Sequence, residues 1–309
     1  MASRTLESNT AAGAGAETRR HRPTRAAIAR LGQYAGFSPA AVLFGVFFFA
    51  PMALVVAYSF WRVVDYQIVH DWTFDNYRYF FSVTTYVRTF VATLWMSALA
   101  TALTIAVAMP FAYWLTRYVA PRWQKFLLLL VIIPFWTSYL LRVTSWVTIL
   151  GDNGIINKGL ESIGVIDHPI GFLLYNRPAV ILVLVYLYFP FAALTLYAAF
   201  DRFDWNLLKA AMDLGASSPT AMRRVMLPQV KPGITTSVIF VFIPVLGEYL
   251  TPQLVGGTRG VMIGNLIVTF FQGAQYSRGA AAALLIAALI VVLLIIFRKS
   301  LDVGDVYGR

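Results

Sequence analysis

Among 309 residues there is no cysteine, and the three histidines, His21, His70 and His168, are scattered. The first absence excludes disulfides and thiolate metal sites and leaves the redox compartment open. The histidines show no ligand spacing, so no metal site is expected. Charge is scarce as well: 13% of residues are Asp, Glu, Lys or Arg, against about 25% in soluble domains. No G-x4-G-K-[ST] segment occurs, which excludes a P-loop of the chain's own. Nucleophile motifs and dinucleotide fingerprints are missing too, so no cofactor and no catalytic residue is expected. A net charge of +11 raises nucleic acid as a partner, but the placement of the cations argues for membrane topology instead.

What fills the chain is apolar: 59% of its residues are hydrophobic. Six nearly uncharged runs stand out, at 40–60, 89–116, 126–150, 178–200, 232–250 and 279–297. Each has about the 20 residues that a spanning helix needs. The second is long enough to tilt or to project beyond the bilayer. Internal prolines at Pro51, Pro110, Pro134, Pro190 and Pro244 are tolerated in membrane helices, where they permit kinks. The expectation is an all-α membrane protein of six spans, with residues 38–298 as one domain.

Sidedness follows from the cations. The 1–37 tail, the 117–125 loop, the 201–231 loop and the C-terminal tail hold 6, 3, 5 and 3 of them, 17 of the 25. The 61–88, 151–177 and 251–278 segments hold only 3, 2 and 2. The positive-inside rule therefore puts both termini and the 201–231 loop in the cytoplasm. Residues 1–37, rich in Ala, Gly, Thr and Arg, read as a disordered basic tail, and 299–309 as a short cytoplasmic one. Arg19-Arg20 invites a twin-arginine reading, but the apolar run that follows is too long and lacks an A-x-A cleavage site.

A seventh apolar stretch, 261–275, is short, contains Gly264 and sets Asn265, Thr269, Gln272 and Tyr276 along one helical face. A seventh span would place Arg298 and Lys299 outside, so it reads as an outer-side interfacial or re-entrant segment. Its polar face turns either to outside water or to a path through the bundle.

The polar island at 203–233 organises the rest. Asp204 can cap a helix start, and Trp205, Leu208 and Met212 recur at helical spacing. Gly215 is placed to end that helix in a left-handed conformation. Ser218 before Pro219 signals a second start, and Leu227–Pro228 and Lys231–Pro232–Gly233 are expected to break the chain again. The pattern predicts two short helices joined at a corner.

Lys209-Ala210-Ala211, then Gly215, nine residues, then Val225-Met226-Leu227-Pro228 resembles the E-A-A-x3-G-x9-I-x-L-P loop of the membrane-spanning permeases of ABC importers. Ala210, Ala211, Gly215, Leu227 and Pro228 match, Val225 replaces isoleucine, and Lys209 stands where the family has glutamate. Two further stretches sharpen the likeness. Ile133-Pro134-Phe135-Trp136-Thr137-Ser138 with Arg142 and Gly151-Asp152-Asn153-Gly154, and Gly247-Glu248-Tyr249-Leu250-Thr251-Pro252 with Met262-Ile263-Gly264-Asn265, look like the third and fifth spans of polyamine-type permeases.

The resemblance implies a type I importer permease in a bacterial inner membrane, with its loop seated as a coupling helix in a cleft of an ATPase subunit. Lys209, Ala210, Ala211, Asp213, Gly215, Leu227 and Pro228 would carry that coupling. It further implies a second, related permease, two ABC ATPase subunits, an extracytoplasmic substrate-binding protein and surrounding membrane lipid. Spermidine or putrescine is the implied solute. Opine, iron(III) and phosphonate importers share the branch, and a stand-alone channel or a membrane enzyme is the alternative from another class.

Two charges fall inside or beside apolar runs, Arg142 and Glu248. Arg or Asp at the centre of a membrane helix costs about 2.5–3.5 kcal/mol on insertion scales, so each needs a compensating role. Each follows the last cytoplasmic cation of its run by 17 residues, Lys125 and Lys231. At about 1.5 Å per residue both should lie about 25 Å into the core, at equal depth. They form either a structural pair or a gate opened by a cationic substrate. Trp136, Tyr139, Trp146 and Tyr249 form either an aromatic path for an alkylammonium or part of the interfacial belt. With Thr137 and Asn265, the residues Trp136, Tyr139, Arg142, Glu248 and Tyr249 make up the expected substrate path.

Overall fold

A computed structural model describes residues 25–64 and 67–301 of the chain. It falls into two units, one ending at Ala53 and one beginning at Leu54. The first unit contributes helix α1, Arg25–Phe60, whose last turns enter the second. Its start lies inside the segment expected to be a disordered tail, and Ala26, Ala27 and Leu31 are the helix formers that extend it. Residues 1–24 of that tail and 302–309 of the C-terminal one lie outside the described residues.

The second unit opens with an antiparallel hairpin of β1, Arg62–Val64, and β2, Gln67–Val69, in which Arg62 faces Val69. Helices α2, Asp75–Ser82, and α3, Thr84–Tyr118, follow. Next come α4, Pro121–Ile132, and α5, Tyr139–Leu150, separated by a 3-10 turn at Ile133–Trp136. Helix α6, Ile155–Ser162, leads to α7, Arg177–Asp201. The second half holds α8, Trp205–Asp213; α9, Ser218–Ala221; α10, Leu227–Leu246; α11, Leu250–Val255; α12, Ile263–Gln272; and α13, Tyr276–Leu301.

Among the described residues, five helical stretches are long and apolar enough to cross a membrane: Val42–Phe60, Thr84–Tyr118, Arg177–Asp201, Ser218–Leu246 and Tyr276–Arg298. The sixth expected span is not one helix. Pro121–Trp136 and Tyr139–Ser162 meet at a bend of 92°, and six spans are reached only when this pair counts as one. Pro134 lacks the N–H that would extend α4. Its carbonyl instead accepts both the Thr137 N–H at 3.2 Å and the Thr137 hydroxyl at 2.6 Å, which closes the turn.

Packing is tightest where side chains are smallest. Ala100, Ala108 and Ala112 of α3 and Ala192 and Ala193 of α7 are all fully buried in one cluster with Val241 and Val245 of α10. Lipid offers no hydrophobic drive between helices, so close approach of backbones supplies the attraction. Gly233 is an extreme case, since a Cβ there would lie 2.2 Å from Ala199 Cβ. Helix α7 starts on a side-chain cap: Asn176 Oδ1 accepts the Ala179 N–H at 2.9 Å, ahead of Pro178.

Candidate functional site

The 203–233 corner has the predicted cap, with Asp204 Oδ1 accepting the Asn206 N–H at 2.9 Å. Gly215 ends α8 in the left-handed region, at φ 88°. The second helix differs from expectation. Its N-cap is Ser217, not Ser218, and the prolines do not break it. Between Met222 and Met226 the chain makes a π turn, in which the Leu227 N–H reaches Met222 O. That extra residue precedes Pro228, which lacks an N–H to donate, so the ladder resumes without a break. Helix α10 then continues through Pro232 to Leu246. The corner therefore joins one short helix to a span, not two short helices.

Inside the corner, Leu208 is buried with Phe200, Phe203, Met226 and Val230. The Trp205 ring packs edge-on against Tyr113 at 5.6 Å and Phe203 at 5.1 Å, and Arg117 sits 5.5 Å above it. Trp205 thus sits as an aromatic wedge between α8 and α3. The outer side of α8 is open. Lys209, Ala210, Asp213 and Gly215 are exposed, as is Met212 of the expected apolar stripe. Leu207 and Leu214 leave apolar surface in solvent, Leu214 at 90% exposure. Ala211 and Leu227 are half-buried and Pro228 is exposed.

A second constellation surrounds Glu248, which lies past the end of α10 and is buried. Tyr139 donates to its Oε2 at 2.6 Å and Tyr188 to the same oxygen at 3.1 Å. Oε1 accepts the N–H groups of Leu250 at 3.2 Å and Thr251 at 3.4 Å, the free donors at the start of α11. The Tyr139 oxygen lies 2.7 Å from Thr251 Oγ1; since its own proton goes to Glu248, Thr251 donates here. One carboxylate therefore ties α5, α7 and α11 together.

Arg142 does not pair with it. No Lys or Arg lies within 4.0 Å of Glu248 among the described residues. Arg142 stacks over Phe135 at 4.4 Å and Tyr139 at 5.6 Å, and its Nε is buried without a partner. Equal depth requires an unbroken helix from Lys125 to Arg142, and the 92° bend removes that basis. Even so, both charges converge on Tyr139.

The other expected path residues are dispersed. Trp136 is 83% exposed on the 3-10 turn, Thr137 is spent on Pro134, and Trp146 packs edge-on against Tyr186 at 5.3 Å. Tyr249 is half-exposed beside Glu248. Asn265 is a brace: its amide donates to Tyr249 O at 2.7 Å and its Oδ1 accepts the Met262 N–H at 3.1 Å. The polar face of α12 does line a cavity of about 260 Å³, with Asn265, Thr269 and Gln272 opposite Pro252 and Gln253. Tyr188, which completes the Glu248 cluster, has no sequence signal, because it sits in a uniformly apolar run.

A broken span, an exposed amphipathic corner helix wedged against the bundle and a buried carboxylate at a helix junction belong to an all-α protein with spans apolar enough for a membrane. The family model described as "Binding-protein-dependent transport system inner membrane component" matches residues 108–302, and the chain belongs to that family. It is 36% identical over 226 residues to the spermidine/putrescine transport system permease protein PotB of Haemophilus influenzae, covering 73% of this chain and 78% of that one. To PotB of Escherichia coli K12 it is 34% identical over 238 residues, covering 76% and 86%. To the inner membrane ABC transporter permease protein YdcU of the same organism it is 30% identical, covering 72% and 75%. The fold matches a chain of a bacterial alginate ABC transporter with a TM-score of 0.71 at 20% identity, over 89% of this chain and 96% of that one. The chain is thus a permease of an ABC importer, a transport component and not the catalytic subunit.

Proposed function

We propose that this chain is one permease of an ATP-driven importer that carries a polyamine of the spermidine or putrescine kind across the bacterial inner membrane. The observation that carries the solute class is the similarity to spermidine/putrescine permeases over about three-quarters of the chain. Glu248 supports it. A buried carboxylate with no basic partner among the described residues attracts an ammonium group by its charge, although its oxygens already accept from two tyrosines and two backbone N–H groups.

The working assembly is this permease with a second, related one, two ATPase subunits and an extracytoplasmic binding protein. Both termini and the α8 corner face the cytoplasm, as the distribution of Lys and Arg requires. The exposed side of α8, from Lys209 to Gly215, seats in the ATPase, and Leu227 and Pro228, in the first turn of α10, join the corner to the span. Closure of the ATPases pushes α8, the Trp205 wedge passes the motion to α3, and the bundle changes its opening.

The test is reconstitution of the complex in liposomes with binding proteins loaded with spermidine, putrescine, an opine, iron(III) or a phosphonate. Polyamine-loaded binding protein should raise ATP hydrolysis and drive uptake. Stimulation by an anionic solute alone would overturn the assignment.

A further inference from the structure

A cavity of about 540 Å³ lies where the first apolar run ends and the last begins, remote in sequence from the coupling corner and from Glu248. Its walls come from three segments: Arg62 and Val63 just past Phe60, the first turns of α2, and the 273–278 corner that leads into α13. Ala274 in that corner adopts the left-handed region at φ 56°, which costs a residue with a Cβ. Bonds from Ala274 N–H to Phe271 O at 3.1 Å and from Gln275 N–H to Phe270 O at 2.8 Å hold it there.

Both signs of charge face this space. The Arg278 guanidinium lies 3.9 Å over the Tyr79 ring and donates to Gln275 Oε1 at 3.0 Å, and no carboxylate lies within 4.0 Å of it among the described residues. Stacking and one hydrogen bond fix the fork while leaving its other donors unused. Asp75 lines the same cavity, 3.8 Å from Arg62 and 3.7 Å from Arg78, with about half of its side chain exposed. Arg62 is engaged mainly by Asp71, at 3.1 Å. Ser277 lines the same cavity, is 1% exposed, and its Oγ has no hydrogen-bond partner. A buried hydroxyl left unpaired is costly unless a guest completes it.

The surroundings say what kind of guest. Trp72, Phe74 and Phe81 are 71%, 62% and 60% exposed on and beside α2, in the segment that follows the first apolar span. Amphipathic aromatics collect at the headgroup layer.

We propose that this cavity seats the headgroup of a zwitterionic phospholipid bearing a primary ammonium, with its phosphate on Arg278 and the Ser277 hydroxyl and its ammonium on Asp75. An anionic headgroup leaves Asp75 opposed, and a quaternary ammonium has no N–H to give it. A docking carboxylate from a protein would meet Asp75 unfavourably for the same reason.

The test is native mass spectrometry of the intact transporter released from nanodiscs holding equal amounts of phosphatidylethanolamine, phosphatidylcholine and phosphatidylglycerol. The wild-type complex should retain phosphatidylethanolamine about tenfold over either competitor, a difference of about 1.4 kcal/mol. Asp75→Asn should retain phospholipid but lose the preference over phosphatidylcholine. Arg278→Gln should lose bound phospholipid, and Arg278→Lys should recover part of it. The wild-type competition does not depend on any variant folding. Retention of the three lipids in bulk proportion would overturn the proposal, as would undiminished phosphatidylethanolamine on Arg278→Gln. Displacement by millimolar inorganic phosphate without lipid preference would reduce the site to a simple anion site. Loss of binding-protein affinity in Arg278→Gln with unchanged lipid would assign the surface to protein docking instead.

Discussion

Replacing Glu248 by glutamine tests whether the carboxylate is a junction or a bystander. All four donors around it are spoken for by two oxygens: the tyrosines by Oε2, and the Leu250 and Thr251 amides by Oε1. An amide has one acceptor oxygen, so its NH2 meets either two backbone donors or two tyrosine hydroxyls, and only the hydroxyls can turn to accept. The tyrosine bonds at 2.6 and 3.1 Å are shorter than the backbone ones at 3.2 and 3.4 Å. Backbone N–H groups cannot accept, so the amide oxygen should stay with Leu250 and Thr251 although their bonds are the longer ones, and the two tyrosines exchange charge-assisted bonds for neutral ones. Losing that charge assistance costs stability, and relief from burying a charge offsets part of it. A net loss of about 1–3 kcal/mol is expected after that offset.

The assay is unfolding of the complex in nanodiscs for Glu248→Gln, Tyr139→Phe and the double variant. Because Tyr139 and Glu248 touch, the double-mutant cycle should show a coupling of about 1 kcal/mol or more, whereas independent sites add within about 0.3–0.5 kcal/mol. Additive effects at an unchanged unfolding midpoint would refute the junction. Uptake in the same variants should fall further than stability does if the carboxylate also meets the solute.

Gly215→Val should uncouple ATP hydrolysis from transport at normal membrane insertion. A Cβ there meets no atom within 4 Å, so the damage comes from the backbone at φ 88°, about 1–2 kcal/mol of strain; tight coupling in reconstituted vesicles would exclude it. Gly233→Ala acts by contact instead, because its Cβ would lie 2.2 Å from that of Ala199. Forcing α7 from α10 should lower stability by about 1–3 kcal/mol, measured by thermal unfolding. Lys209→Ala should assemble and transport nearly normally, since the side chain is exposed and makes no ion pair among the described residues; failure to co-purify with the ATPase would show otherwise.

Features that depend on a single turn of chain are legible in the residues themselves. Asp204 caps and Gly215 turns left-handed because capping and φ preference act within a few residues. Five spans are legible because a run of about 20 apolar residues has no cheaper place than a bilayer. Of the prolines, Pro228 misleads and Pro134 does not. Pro228 reads as a stop, yet a single π turn lets the helix pass, and Pro134, which reads as a kink, falls at the 92° bend.

Only the tertiary structure decided the rest. Tyr139 and Tyr188 lie 109 and 60 residues from Glu248. Nothing in an apolar run marks which tyrosine will face a carboxylate two helices away. Asn265 also acts as a brace that its position in the sequence does not reveal, because its partner is the backbone of Tyr249, 16 residues back. The sequence alone determined which segments enter the membrane and where the corner turns, since hydration and backbone sterics are local. Which side chains meet inside was set by how small residues on α3 and α7 let the helices close, and that is a property of the packed bundle.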